Sequence, residues 1–477
     1  MPDPSILFWT IVALLDLYAA GLAIFRHRGV EATLAWLLAI IAVPGVGAVA
    51  YILLSTPGIK RTTRRKIDAK VTVRESAGGV GARIAPTAES VLEPPVGSLL
   101  RLASDLTGLP ATGGNAVELL AEDERAFERI EQSIAAAEKA VWAEYYIIKR
   151  DETGRRFLDL LADRARAGVD VRLLFDAVGS LGLDPDKLAA IRAAGGHVES
   201  FLPVNPLRRR WAVHLRNHRK LIVVDGATGF TGGMNVGDEY SGRARRRGEV
   251  HFRDSHLAVR GPAVADMALT FAEDWLFATE EELPLPPRPS SIDGADARVA
   301  VVTSGPDQKD NAAGLVYFAA VAAAEKSVFL TTPYFVPDAP LIRALKTAAH
   351  RGVDVRLLVP RRPDVALVGA VARTYYPKLL RSGVRVFEYT RSMLHAKTLV
   401  VDGRLAIVGS ANADIRSFKL NFEIGALVDD TALASVLEAR FGDDLEGSEE
   451  VTAETIALVG PAARLRDGVA RLLSPLL

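Results

Sequence analysis

Two long apolar runs open the chain. Ile6–Phe25 is interrupted only by Thr10 and Asp16, and Ala32–Leu54 carries no charged residue. Each is long enough for the roughly 20 helical residues that cross a bilayer core of about 30 Å. The short connection Arg26–Glu31 suits a helical hairpin, and Trp9, Tyr18, Trp36 and Tyr51 suit membrane interfaces. A cleaved signal peptide would need a basic start and one apolar stretch of about 7–15 residues. Here no Lys or Arg precedes Ile6, and a second run follows. The pattern therefore predicts a transmembrane hairpin over residues 1–57, with spans at about 6–25 and 32–54. Pro44, Gly45 and Gly47 loosen the second span, and Asp16 is read as facing a polar neighbour there. Lys60, Arg61, Arg64, Arg65 and Lys66 outnumber Arg26 and Arg28 in the turn. By the positive-inside rule, everything after residue 57 lies on the cytoplasmic side of the cell's inner membrane.

Past the hairpin the pattern changes. Residues 58–115 are rich in Gly, Pro, Ser and Thr and read as a juxtamembrane linker. Glu281–Ser291, with Pro284, Pro286, Pro287 and Pro289, reads as a second, stiff linker. Between and beyond them lie two domains, 116–283 and 292–477, which repeat each other. Gly168-Val169-Asp170-Val171-Arg172-Leu173-Leu174 recurs as Gly352-Val353-Asp354-Val355-Arg356-Leu357-Leu358. A helical pattern precedes each copy (Arg155–Ala167 and Ala339–Arg351). An apolar strand comes earlier still, Ala140–Ile148 ending near Tyr146 and Val328–Val336 ending near Tyr334. Alternation of strands and helices predicts an α/β fold with a largely parallel sheet, and the repeat predicts a tandem duplication.

Composition narrows the chemistry. The chain of 477 residues has 58 Lys+Arg against 58 Asp+Glu, so it lacks the basic excess of a general nucleic-acid coat protein. It has no cysteine, which excludes disulfide scaffolds, thiol nucleophiles and Cys-ligated metals. The nucleotide, zinc-hydrolase and serine-lipase motifs G-x-G-x-x-G, P-loop, H-E-x-x-H and G-x-S-x-G are missing.

One constellation occurs twice. His218, Lys220 and Asp225 form H-x-K-x-x-x-x-D, and so do His395, Lys397 and Asp402. Each copy is followed by a small-residue turn ending in Asn: Gly232-Gly233-Met234-Asn235 and Gly409-Ser410-Ala411-Asn412. Seventeen residues separate His218 from Asn235, and seventeen separate His395 from Asn412. A strand period of two aims each His and Lys to one face. Two related domains packed about a pseudo-two-fold axis would gather two His, two Lys and two Asn around one pocket. Lysines supply charge, amides donate hydrogen bonds, and imidazoles attack phosphorus or move protons, so the set suits an anionic phosphate. Asp225 and Asp402 each open a D-G turn and are weaker candidates individually.

The duplicated motif with its trailing Gly-x-x-Asn resembles the phospholipase D superfamily. The hairpin with Trp36, Pro44, Gly47 and Tyr51 looks like bacterial cardiolipin synthases. So do Thr332–Asp338, Arg416-Ser417-Phe418 with Leu420–Glu423, and Leu472–Leu477. The resemblance implies tandem α/β/α sandwich domains of the phospholipase D type sharing one active site, and a phosphatidyl transferase that needs no metal or other cofactor. One histidine attacks the phosphorus of phosphatidylglycerol and holds the phosphatidyl group. The other protonates departing glycerol, then deprotonates the hydroxyl of a second phosphatidylglycerol, giving cardiolipin. His218 is expected to attack and His395 to act as acid and base.

The family also places a carboxylate behind each histidine. Glu423, twenty-eight residues after His395, fits the second half. Aligning Arg253–Val259 with Phe422–Val428 makes Asp254 its counterpart behind His218, with Ser241–Arg247 absorbing eight extra residues. Arg208, Arg209, Arg210 and Trp211, the Arg243–Arg247 run, Tyr146 and Tyr334 are candidates for contact with anionic headgroups. Ala453–Leu473 reads as a packing helix. The expected partners are phospholipids of the membrane, not nucleic acid. A phospholipase D using water or another alcohol is the alternative, and a membrane-tethered nuclease a remoter one.

Overall fold

The computed structural model describes residues 3–25, 30–54, 58–77, 95–121, 123–202 and 215–471. It divides into two units, Met1–Thr62 and Thr63–Leu477. The first unit holds α1 (Pro4–Phe25), α2 (Val30–Ala42) and α3 (Val46–Leu54). α1 has a mean hydropathy of 2.0 and is the one helix among the described residues that is long and apolar enough to cross a bilayer unaided. The second expected span is two short helices. Pro44 cannot continue the ladder, and Gly45 turns the chain at φ +76°. The Gly45 N–H freed there donates to Asp16 Oδ1 at 2.9 Å, so Asp16 satisfies the break. At Gly47 a Cβ would lie 2.4 Å from the Ala39 carbonyl oxygen, which requires glycine where α3 leaves the kink.

The expected linker 58–115 contains two helices, α4 (Gly58–Ser76) and α5 (Val96–Thr107). α4 escapes the apolar-periodicity test because charges hold it. Lys66 Nζ lies 2.5 Å from Asp274 Oδ1 as an ion pair, and Arg74 Nε donates to Glu273 Oε1 at 2.6 Å. α5 packs Leu99, Leu100 and Ala103 into the main core.

The first half contributes β1 (Thr112–Leu120), β2 (Ala140–Tyr145), β3 (Asp170–Asp176), β4 (His197–Phe201), β5 (Arg216–Asn217), β6 (Lys220–Val224), β7 (Thr228–Gly232), β8 (Phe252–Arg253) and β9 (His256–Arg260). The second contributes β10 (Ala297–Ser304), β11 (Ser327–Thr331), β12 (Phe335–Val336), β13 (Asp354–Pro360), β14 (Arg385–Tyr389), β15 (Met393–Leu394), β16 (Thr398–Val401), β17 (Leu405–Gly409), β18 (Ala413–Asp414), β19 (Asn421–Asp429) and β20 (Ser448–Val451). One continuous sheet runs β20-β14-β13-β11-β16-β17-β19-β10-β1-β9-β7-β6-β2-β3-β4. From the central β10–β1 pair outward, both halves have the same order. Each is mixed, not largely parallel. β2-β3-β4 and β11-β13-β14 are parallel, whereas β6-β7 and β16-β17 are antiparallel because D-G turns join them as hairpins.

The repeated heptapeptide explains itself locally. Gly168 and Gly352 take φ +87° and +89°, ending helices Glu152–Arg166 and Ala339–His350, and the apolar remainder forms β3 and β13. Those helices start at Asp151 and Asp338, whose carboxylates accept from the N–H groups of Gly154 and Leu341. Helices cover both sheet faces. Phe157 and Leu161 lie under one face of the first half, while Phe271 of helix Val264–Thr279 stacks on Trp142 from the other. Residues 281–291 carry neither helix nor strand.

Two short crossings link the halves. β5, just before His218, runs parallel to the start of β19, and β8 runs parallel to β15, just before His395.

Candidate active site

Each repeated motif begins where its chain crosses to the other half. The His218 N–H donates to the Phe422 carbonyl at 2.9 Å, and the His395 N–H to the Arg253 carbonyl at 2.8 Å. The next residues in those partner strands are Glu423 and Asp254. His218 Nδ1 therefore meets Glu423 Oε2 at 2.9 Å, and His395 Nδ1 meets Asp254 Oδ2 at 2.6 Å. This corrects the assignment by sequence distance: the carboxylate behind each histidine comes from the opposite half. Both carboxylates are fully buried and fixed. Glu423 accepts from Ser410 Oγ and from Asn421 Nδ2 at 3.2 Å, and Asp254 accepts from the Ser255 N–H at 2.7 Å. The turns are matched to these acids. A Cβ at Gly233 would fall 2.1 Å from Asp254 Oδ1, whereas its counterpart Ser410 supplies a hydroxyl to Glu423.

The lysines enter at the start of the two strands: Lys220 is the first residue of β6, and Lys397 immediately precedes β16. Lys220 Nζ donates to the His218 carbonyl at 2.8 Å. Lys397 Nζ donates to the His395 carbonyl and lies 2.8 and 3.2 Å from that ring's Nδ1 and Nε2. Burial pushes both ammonium groups down, Lys220 to about 7 and Lys397 to about 8, with Glu423 and Asp254 opposing. Burial also lowers both imidazoles. Lys220 adds to the effect on His218, against Glu423, and Lys397 adds to the effect on His395, which falls to about 4 against the pull of Asp254. Each motif's lysine also acts on the other motif's histidine, so the two sets share one electrostatic neighbourhood.

Aromatic rings flank both imidazoles. Tyr146 stands edge-on to His218 at 4.8 Å between centroids, while Tyr240 and Phe252 flank His395 at 5.4 and 5.3 Å. Tyr334 takes no such place, because its hydroxyl donates to Asp364 at 2.9 Å. Asn235 is tied inward, donating from Nδ2 to Tyr240 Oη at 2.9 Å. Asn412 keeps a buried Oδ1 with no hydrogen bond within the described residues.

Asp225 and Asp402 are not at this site. They sit at the far ends of β6 and β16 at φ 54° and 56°, five residues beyond the lysines, or about 17 Å along a strand. Their carboxylates accept from the N–H groups opening the neighbouring strands, Lys139 at 2.7 Å and Ala140 at 2.9 Å, and Lys326 at 2.6 Å and Ser327 at 2.9 Å. The expectation that they join the catalytic set is thereby corrected: they pin hairpins to the sheet. Arg208, Arg209, Arg210 and Trp211 lie outside the described residues.

Sequence reasoning missed what lies beneath the motif. Arg219, between His218 and Lys220, points to the opposite side. There it donates to Asp274 and, from Nε at 3.1 Å, to the Glu423 carbonyl. Asp274 also pairs with Lys66 of α4. Burial raises Asp274, but Arg219 and Lys66 hold it below the usual carboxylate range. All three side chains are at most 3% exposed. Breaking a buried pair by removing one partner costs about 3 kcal/mol or more. Lys66→Met is therefore expected to lower the urea midpoint by about that much stability, and an unchanged midpoint would remove Lys66 from the network. The signal in sequence was a basic run read only as topology.

A family model described as cardiolipin synthase, PLD-like domain, matches residues 130–275 and 317–445, and a phospholipase D-nuclease N-terminal model matches 7–55. The chain is 37% identical to the cardiolipin synthase of Geobacillus kaustophilus over 99% of its length and 94% of that protein's. It is 36% identical to cardiolipin synthase A of Pseudomonas fluorescens over 99% of both. Among solved structures, phosphatidylserine synthase of Haemophilus influenzae aligns with 80% of this chain and all of its own, at 17% identity and a TM-score of 0.61, a likeness of fold.

Proposed function

The chain belongs to the cardiolipin synthase family of the phospholipase D superfamily, and from that premise we propose that it joins two phosphatidylglycerol molecules into cardiolipin and glycerol. It is a membrane-associated phosphatidyltransferase. The observation carrying the mechanism is the crossed pairing of His218 with Glu423 and of His395 with Asp254.

A carboxylate accepting from Nδ1–H leaves the Nε2 lone pair of a neutral imidazole for chemistry. Lys397 lies against both ring nitrogens of His395, while Lys220 bonds only the His218 carbonyl. This favours His218 as nucleophile. Its Nε2 forms a bond to the donor phosphorus as the bond to the glycerol headgroup oxygen breaks, and His395 gives that oxygen a proton. The second phosphatidylglycerol's terminal hydroxyl then returns a proton to His395 and attacks phosphorus, and the P–N bond breaks. Both histidines rest below their ordinary pKa, so the acid needs a charged partner to take up its proton. The phosphate anion, once bound, raises His395 and both lysines together. Lys220 and Lys397 hold the non-bridging oxygens.

The boundaries proposed are a membrane hairpin over 1–57 and repeats over 116–283 and 292–477. The membrane is crossed twice, with the repeats on the cytoplasmic side. Purified protein incubated with phosphatidylglycerol alone tests the reading. Cardiolipin with equimolar glycerol is the expected product, and phosphatidic acid with glycerol would instead establish a phospholipase D.

A further inference from the structure

A second concave surface lies beside the histidine site and plays no part in the mechanism. It is a cleft of about 770 Å³ formed where the first half's Arg245 and His251 face the second half's Arg361, Arg362 and Arg391. Its charge is strongly unbalanced. The acids on its wall already serve other cations, Glu449 pairing with Arg361 and Glu249 with Arg247. Arg245, Arg362 and Arg391 have no carboxylate partner among the described residues. Ser392, on the same wall, keeps a buried hydroxyl oxygen with no hydrogen bond within the described residues. Guanidinium groups repel one another, and several converging without counter-charge make a site whose natural occupant is an anion with several oxygens.

The floor of the cleft is the β8–β15 crossing. The Met393 N–H donates to the His251 carbonyl at 3.2 Å. One residue on in β8, Phe252 packs its ring 5.3 Å from that of His395. The cleft thus shares its supporting strands with the transfer centre, and its arginines come from both halves. Of the Arg243–Arg247 run, Arg243 pairs with Glu152 and Arg247 with Asp238, while Arg245 lines the cleft.

We propose that this cleft is a second anion site, separate from the histidine–lysine centre, which binds a phosphate-bearing ligand through Arg245, Arg362 and Arg391. Guanidinium forks match phosphate oxygens bidentately, whether the phosphate belongs to a lipid headgroup or is free in solution.

The experiment uses the full chain in detergent micelles and the double variant Arg362→Ala/Arg391→Ala. Both positions are exposed. Three readings are taken: cardiolipin formation against the mole fraction of phosphatidylglycerol, the same with added inorganic phosphate, and hydrolysis of the soluble diester bis(4-nitrophenyl) phosphate. The last reads the transfer centre alone and so separates failure of this site from failure of the proposed activity. If lipid headgroups occupy the cleft, the variant's KM for phosphatidylglycerol rises about tenfold, with diester hydrolysis and kcat unchanged. If free phosphate occupies it, added phosphate alters wild-type synthesis and leaves the variant unaffected. Identical KM and identical phosphate response in the two proteins overturn the site. A parallel loss of diester hydrolysis also overturns it, because the arginines would then belong to the transfer centre.

Discussion

Glu423→Gln is expected to slow cardiolipin synthesis by up to about 10⁴-fold, the loss seen when an amide replaces the carboxylate behind a catalytic histidine. Asp254→Asn should cause a similar loss. The amide presents the wrong hydrogen-bonding partner to Nδ1 and no longer favours the working tautomer. What distinguishes the two variants is the crossing of the halves, since Glu423 serves His218 and Asp254 serves His395. With a phosphatidyl nitrophenyl ester, whose leaving group departs without a proton, release of nitrophenol needs only the nucleophile. Glu423→Gln should then remain slow, while Asp254→Asn recovers to within about tenfold of wild type. With the pairs crossed as they are, the reverse pattern would make His395 the nucleophile.

Lys220→Ala and Lys397→Ala are each expected to lose roughly 10²–10³ in turnover, comparable to removing one donor from an oxyanion site. Their buried ammonium groups also set an alkaline limb. In the empty protein Lys220 sits at about 7 and Lys397 at about 8, so kcat/KM should fall as pH rises through that range. Bound phosphate favours the charged lysines, so the limb in kcat should lie at higher pH. Stability should move the other way. Both folded-state values are depressed below the ordinary lysine value of 10.5, so the unfolded chain binds more protons between about 7 and 10.5. Stability of the empty protein therefore rises with pH across that window, and Lys220→Met should flatten the rise. Near-wild-type turnover in either alanine variant, or a kcat/KM flat to pH 10, would remove that lysine from phosphate binding.

Much of this site was legible because the duplication wrote it twice. The motif, the trailing Asn and the heptapeptide each recur at matched positions, and matched positions become matched places in the sheet. The pairing of Glu423 with His218 was not legible. Spacing within one copy measures distance along the chain, whereas β5 and β8 carry each motif across to the other half's strand. Asp225 and Asp402 misled for a related reason: a recurring residue can recur for the fold, and here it secures a hairpin to the sheet. The mixed sheet follows from the D-G turns, whose hairpin geometry overrides the parallel arrangement implied by alternating strands and helices. α4 escaped because Lys66 and Arg74 dock it by charge, and Ala69 and Val73 alone are too few buried apolar positions to read as a stripe.

The claim that most needs testing is that the phosphatidyl group is carried covalently on His218 within a site built by both halves. His395→Ala, given the nitrophenyl ester as donor, should form the adduct but fail to pass it on. Mass spectrometry of the peptide containing Asn217–Lys220 is then expected to show a phosphatidyl group on His218, labile in acid and stable in base, and absent from His218→Ala. No adduct in either variant, together with inversion at phosphorus in the wild-type reaction, would contradict the account and require direct displacement by the second lipid's hydroxyl.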